Sequence, residues 1–216
     1  MRWFRGADRS QPKREEGANA APRTTRHCIG LGDFMRSLSA SGEKKLCVLD
    51  LGPTSPTNIK LLTELDVRVY NEDILRESQG AHYLVKQEDG SQQIDPAAFF
   101  TENLNYPAGH FDAILFWDVA DYLPEALVKP LVERLESILK PQGHLLAFFH
   151  TKDAGVESLY SRHHIVKKDT LELEPVQGFR LQRIFNNRHI ENLFKDFASR
   201  KFFLGRDNIR EVLMVR

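Results

Sequence analysis

The sequence predicts an α/β protein built on a largely parallel sheet, and three stretches carry that prediction. Lys45 to Asn58, KLCVLDLGPTSPTN, joins a near-continuous apolar run (Leu46, Cys47, Val48, Leu49 and Leu51) to a tight turn and a helix start. A run without polar alternation is what a central strand covered on both faces requires. Phe111 to Val119, FDAILFWDV, is a second such run. Glu125 to Lys140 then spaces Leu127, Val128, Leu131, Val132, Leu135, Ile138 and Leu139 along one helical stripe, with Pro130 kinking or restarting the helix. Strands alternating with amphipathic helices form parallel units that hold ligands at the carboxyl ends of their strands.

Composition narrows the classes further. A chain of 216 residues suits one domain, and 41% hydrophobic content with 14 Phe is enough for one substantial core. The formal net charge is zero, but residues 1–26 carry 7 basic and 3 acidic groups, 27–161 carry 11 and 20, and 162–216 carry 12 and 7. An excess of that size over a long segment reads as a solvated face more readily than as a nucleic-acid footprint. Cys28 and Cys47 lack the spacing of a disulfide framework or a metal site, which suits a reducing cytoplasm. No apolar run approaches the roughly 18 residues of a membrane span, and the N-terminus lacks the apolar centre of a signal peptide. A soluble cytoplasmic protein is the expectation.

In chain order, residues 1–26 show no helical or strand period and are expected to be a disordered basic tail, ahead of a domain over 27–216. Leu31, Phe34, Met35 and Leu38 predict a helix over Ile29 to Ala40. Ser55 followed by Pro56 starts the helix after the first strand, with Ile59, Leu61, Leu62 and Leu65 as its buried face. Val67 to Ile74 is a second strand ending in Glu72 and Asp73. Glu88, Asp89 and Gly90 mark a turn in either a small hairpin or a loop. Asp95 and Pro96 look like a helix start that leads into a short third strand near Phe99 to Leu104. Ser161 to Phe185 alternates like an accessory hairpin or small sheet, bounding an insertion of about 158–186. Ile190, Leu193, Phe194 and Phe197 form a helical face over Asn187 to Phe197. RKFFL and REVLMVR, flanking Gly205 to Asn208, predict a C-terminal hairpin.

Several of these residues resemble the class I S-adenosylmethionine-dependent methyltransferase family. Asp50 and Gly52 match the acidic residue and first glycine of its first motif, while Thr54 and Pro56 stand at the next two glycine positions. FDAILFWDV resembles the family's fourth strand, and LKPQGHLLAFF its LKPGG turn and fifth strand, with Gln142 for the first glycine. The resemblance implies a three-layer doubly wound, mostly parallel seven-stranded sheet ending in an antiparallel C-terminal hairpin. It also implies S-adenosylmethionine as cofactor, bordered by Asp50, Gly52 and Thr54 at the methionine end, by Asp73 at the ribose, and by Asp118 in the pocket. The carboxylate expected at the adenine, near Phe100 and Thr101, is absent or displaced to Glu102; an aromatic such as Phe100 stacking on the adenine is the lesser alternative to a core phenylalanine.

Trp117, Asp118, Asp121 and Tyr122 follow at the ligand end of the fourth strand, and His150 with Thr151 at that of the fifth. Asp118, Asp121 and His150 are thus the catalytic candidates, with His150 as a base where the acceptor arrives protonated. Asp121 reads equally well as a helix cap ahead of Pro124. His163 and His164 are adjacent and would face opposite ways on a strand, so no metal is expected. The expected function is methyl transfer to a small molecule. No Asn/Asp-Pro-Pro-aromatic motif follows the fourth strand, which disfavours nucleic-acid bases as acceptors. A non-catalytic binding or partner module is the alternative, and a nicotinamide-dependent oxidoreductase ranks last because Pro53, Thr54, Ser55 and Pro56 replace a glycine-rich phosphate turn.

Overall fold

The computed structural model describes residues 23–40, 42, 45–153, 159–205 and 207–216. Strand β1 (Thr24–His27) leads into α1 (Ile29–Ala40), then β2 (Cys47–Asp50), α2 (Pro56–Thr63), β3 (Arg68–Asn71) and the short α3 (Ile74–Glu77). A hairpin of β4 (Leu84–Lys86) and β5 (Gln92–Ile94) precedes α4 (Pro96–Glu102), β6 (Phe111–Trp117), α5 (Val119–Tyr122), α6 (Glu125–Ile138) and β7 (Leu139–His150). The chain ends with β8 (Ser161–Lys167), β9 (Thr170–Pro175), α7 (Asn187–Leu193), β10 (Ser199–Leu204) and β11 (Ile209–Val215).

Among the described residues the principal sheet has six strands in the order β10-β11-β7-β6-β2-β3. β3, β2, β6 and β7 run parallel, and β11 and β10 add antiparallel. Side chains alternate across it. Val48, Ala113, Leu115, Leu146 and Phe148 pack with Leu31, Phe34 and Met35 of α1 and Leu62 of α2. Leu49, Ile114, Phe116, Leu145 and Phe149 pack with Phe99, Leu131, Leu135 and Phe194 on the other face. The unbroken apolar runs of β2 and β6 are therefore those of strands buried on both sides.

Among the described residues no seventh strand joins this sheet. Phe99 to Glu102 belongs to α4, which starts because the Asp95 carboxylate accepts from the Ala97 and Ala98 amides at 2.9 and 3.3 Å and Pro96 needs no donor in the first turn. Phe99 is fully buried and meets Tyr83 edge to face, so its apolar character comes from a helix face. The turn at Glu88 to Gly90 closes the hairpin of β4 and β5. α6 continues through Pro130 and ends at Ile138, where Leu139 and Lys140 already belong to β7.

Two further expectations change at the N-terminal end and in the insertion. Thr24–His27 is not the end of a tail but a strand paired antiparallel with β9, giving a second sheet in the order β1-β9-β8. Residues 1–22 lie outside the described part of the chain. The hairpin of the insertion stops at Pro175, and residues 179–185 form no strand; there the Gln182 and Arg183 amides both donate to the Asp121 carbonyl. α7, capped by Asn186, ends at Leu193.

On α2 the expected face is also corrected. Ile59 is 38% exposed, whereas Asn58 is buried. The Asn58 amide donates to Asp50 Oδ2 and to the His163 carbonyl, both at 2.9 Å, while its Oδ1 accepts the Ile165 amide at 2.7 Å. It thereby pairs with the β8 edge as a neighbouring strand would and docks the accessory sheet on α2. His164 Nδ1 and Ser55 Oγ, 2.8 Å apart, close the same contact. Replacing Asn58 with Leu leaves Asp50, His163 and Ile165 without these partners, and a loss of about 2–4 kcal/mol in urea unfolding is expected.

Candidate functional site

Asp50 ends β2 with its carboxylate 2% exposed. Beyond the Asn58 amide, it accepts from Trp117 Nε1 at 2.6 Å and from the Gly52 amide at 3.3 Å. Burial pushes it up to about 6, and those three hydrogen bonds hold it from rising further. Gly52 is buried under Trp117: a Cβ there would stand 3.1 Å from Trp117 Cδ1. Trp117 in turn stacks on His163 of β8, with ring centres 4.7 Å apart and planes 3° from parallel. Its backbone has φ +52°, a left-handed conformation that costs a non-glycine residue about 1–2 kcal/mol. A φ so held at the end of a buried strand marks a place where surrounding contacts over-determine the chain.

The second strand places its acids differently from the simplest reading. Asn71, not an acid, stands opposite Asp50 in the β2–β3 register. Its amide donates to the Asp50 and Gly52 carbonyls at 3.1 and 2.9 Å, and Thr54 Oγ1 donates to its Oδ1. Glu72 follows, half-buried, and accepts from Tyr106 OH at 2.5 Å. Asp73 caps α3, its Oδ1 accepting the Arg76 amide at 3.2 Å. Of the residues expected near the adenine, Glu102 accepts from Tyr83 OH at 2.9 Å, and Phe100 packs edge to face on Phe99.

At the carboxyl end of β6 the structure brings Asp118, Asp121 and His150 together. Asp121 is fully buried, and its Oδ2 accepts the His150 amide at 2.7 Å and meets His150 Nδ1 at 2.9 Å. It orients the imidazole rather than capping a helix. Burial disfavours the imidazolium, but the Asp121 hydrogen bond and the charges of Asp118 and Asp121 outweigh it and raise His150. Burial pushes Asp118 up to about 7, with the Asp121 charge adding to the rise and His150 opposing it. His163 goes the other way: burial, with Arg26, His150 and His164 nearby, holds it down to about 3. Its Nε2 lies 3.9 Å from Asp118 Oδ1.

A cavity of about 60 Å³ lies among Arg26, Asp118, Phe148, His150, Ser161 and His163. Asp118 Oδ1 and His163 Nδ1 are buried without a protein partner. Arg26, carried by β1, reaches Asp207 at 2.5 Å and Glu211 at 3.1 Å and lies over the Phe148 ring. A roomier hollow of about 540 Å³ opens at the other end of the sheet, beside Leu46, Asp112, Lys140 and Gly143. It borders the amino ends of β2 and β6, away from where parallel sheets bind ligands. His163 and His164 face opposite sides, and no metal-binding group is found among the described residues. No described helix is long and apolar enough to cross a membrane.

Sequence reasoning named Asp50, Gly52, Asp118, Asp121 and His150, and these converge. It passed over Asn58, Asn71 and Arg26. Asn58 alone carried a signal, a polar residue one turn ahead of Leu61 and Leu62 on the helix stripe. Because the folded pKa of Asp118 lies above its unfolded value, its contribution to stability is present at acid pH and is lost as pH rises through about 7. Asp118→Asn is therefore expected to unfold at higher urea than wild type at pH 8, with the difference shrinking toward pH 5.

A family model described as a methyltransferase domain matches residues 24–197. Among solved structures, a SAM dependent methyltransferase from Archaeoglobus fulgidus superposes with a TM-score of 0.51 at 10% identity, over 86% of this chain and 92% of that one. The 1,6-didemethyltoxoflavin-N1-methyltransferase of Burkholderia thailandensis gives 0.46 at 13%, over 87% and 77%. Human N-acetylserotonin methyltransferase gives 0.46 at 16%, over 87% and 52%. A search of curated proteins finds no match. At these identities the structural likeness speaks for the fold alone. The family match, which runs from β1 past the end of α7 and takes in both Asp50 and Asp118, places this chain in the methyltransferase-domain family, whose methyl donor is S-adenosylmethionine.

Proposed function

We propose that the protein transfers a methyl group from S-adenosylmethionine to a small-molecule acceptor at the carboxyl edge of β2 and β6. The observation that carries this reading is that Asp50 and Gly52, ending one strand, stand beside Trp117 and Asp118, ending its parallel neighbour, with Trp117 Nε1 on the Asp50 carboxylate. The chemistry of the residues fits the donor: an acidic acceptor, a glycine without a side chain at the turn, and Glu72 and Asp73 at the next strand end. Asp73 Oδ1 is committed to its helix cap and Glu72 Oε1 to Tyr106, which leaves the second oxygen of each carboxylate for hydroxyl groups. S-adenosylmethionine supplies an electrophilic methyl group, so that the protein's task is alignment and, for a protonated acceptor, proton removal.

Asp118 suits that second task. It borders the cavity, burial pushes it up to about 7 so that both protonation states are accessible near neutral pH, and its ionised form can take a proton there. Asp121 holds His150 Nδ1, which leaves Nε2 as the nitrogen that exchanges a proton at the same cavity. A space of about 60 Å³ admits only the reacting end of an acceptor, a group of a few heavy atoms.

A second reading, a non-catalytic module, is favoured by one observation: Asp50 has all its donors from within the protein, and Trp117 covers Gly52. Calorimetric titration with S-adenosylmethionine and S-adenosylhomocysteine, with NADH as control, separates the readings. Micromolar binding of the two sulfur nucleotides, about 8 kcal/mol, is the expected result; binding of neither by wild type or by any Trp117 variant would establish the module. With an acceptor in hand, Asp118→Asn should lower turnover about 10²-fold or more at unchanged donor affinity, the range lost with a general base. A loss of donor affinity instead would move Asp118 to the donor side.

A further inference from the structure

Trp117 and His163 reach the same place from distant parts of the chain. Trp117 ends β6; His163 stands on β8, in the accessory hairpin that Asn58 and Ser55 dock onto α2. The two rings lie parallel, and both are almost wholly buried. The indole covers the one motif position without a side chain, Gly52, and its N–H is spent on Asp50. A glycine at such a turn permits a ligand to approach the backbone closely, yet here an aromatic ring of the protein takes that space. Phe148, against both rings, backs the stack.

We propose that Trp117 and His163 form an internal stopper, which occupies the methyl-donor end of the cleft and has to withdraw before the donor binds. The inference rests on the methyltransferase reading and adds a regulatory step to it. Three features make the stopper distinct from ordinary core packing. Trp117 holds a left-handed backbone conformation, which its contacts with Asp50 and His163 must maintain. His163 Nδ1 is buried without a side-chain hydrogen-bond partner, and Nε2 lies 3.9 Å from Asp118, so stacking on Trp117 is a main contact of its ring. The cavity beside Asp118 adjoins His163 and gives that ring room to turn. The stopper also explains how Asp50 and Gly52 persist at a closed site: their contacts with Trp117 substitute for contacts with the donor.

The chain has two tryptophans, Trp3 and Trp117, so in a Trp3→Phe background fluorescence reports Trp117 alone. Titration of that protein with S-adenosylhomocysteine is expected to shift the emission to the red and to increase acrylamide quenching as the indole leaves the stack. Trp117→Gly, which removes the ring and suits the positive φ, should bind S-adenosylhomocysteine at least tenfold more tightly than wild type. His163→Ala, which removes the other half of the stack, should do the same even where Trp117→Gly does not fold. If the nucleotide binds with unchanged Trp117 emission and both variants stay within twofold of wild type, the stopper is overturned while the methyltransferase reading stands. If neither wild type nor any variant binds it, both are overturned.

Discussion

The buried carboxylate of Asp50 is the constraint around which this end of the molecule is arranged. A carboxylate at the end of a strand covered on both faces has lost its water and needs donors from the protein. It finds them on three separate pieces of chain: the turn that follows it at Gly52, the first turn of α2 at Asn58, and the end of the neighbouring strand at Trp117. Asn58 uses its remaining groups on the main chain of β8, so the strand end, the helix start and the accessory sheet are one hydrogen-bonded unit. Any movement at the site is felt by all three, because leaving a buried polar group unmatched costs about 1–3 kcal/mol each.

The other side of the site follows a different logic. Asp118, Asp121 and His150 crowd three titratable groups where water is scarce: burial raises the two carboxyls, while the carboxylates beside His150 raise the imidazole against its own burial. Asp121 is satisfied by the His150 amide and ring, which makes it a fixed element, whereas Asp118 has an oxygen without a protein partner. A group kept in that condition lowers stability above neutral pH. Such a cost is common where a side chain is kept for chemistry rather than for packing. Across the cavity, Arg26 faces Asp207 and Glu211, so that β1 ties the accessory sheet to the C-terminal strand β11.

Element by element, the strands and helices of the principal sheet were readable because their periodicities are strong. The run from Leu46 to Leu49 has no polar interruption, the stripe from Leu127 to Leu139 repeats every three or four residues, and Gly205 to Asn208 separates two alternating runs. The misplaced third strand had no such support: Phe99 and Phe100 are as apolar on a helix as on a strand, and Asp95 with Pro96 settled the matter locally. Thr24 to His27 is polar and short, and only its partner β9, nearly 150 residues away, makes it a strand. FRLQRIF alternates correctly but has no neighbouring strand to pair with, so it remains extended without joining a sheet.

The sequence by itself determined the α/β class, the order of the main strands and the edge at which Asp50, Gly52, Asp118 and His150 would gather, because each of these depends on local periodicity and on chain direction. The tertiary structure decided that Asp121 orients His150, that Asn58 docks the accessory sheet, that Asn71 rather than an acid faces Asp50, and that Trp117 meets His163 over Gly52. Those four depend on contacts between residues from 21 to more than 100 positions apart, and on the register of strands that only a folded sheet defines. Local sequence sets which faces must be buried; which side chains then share a face is fixed by packing.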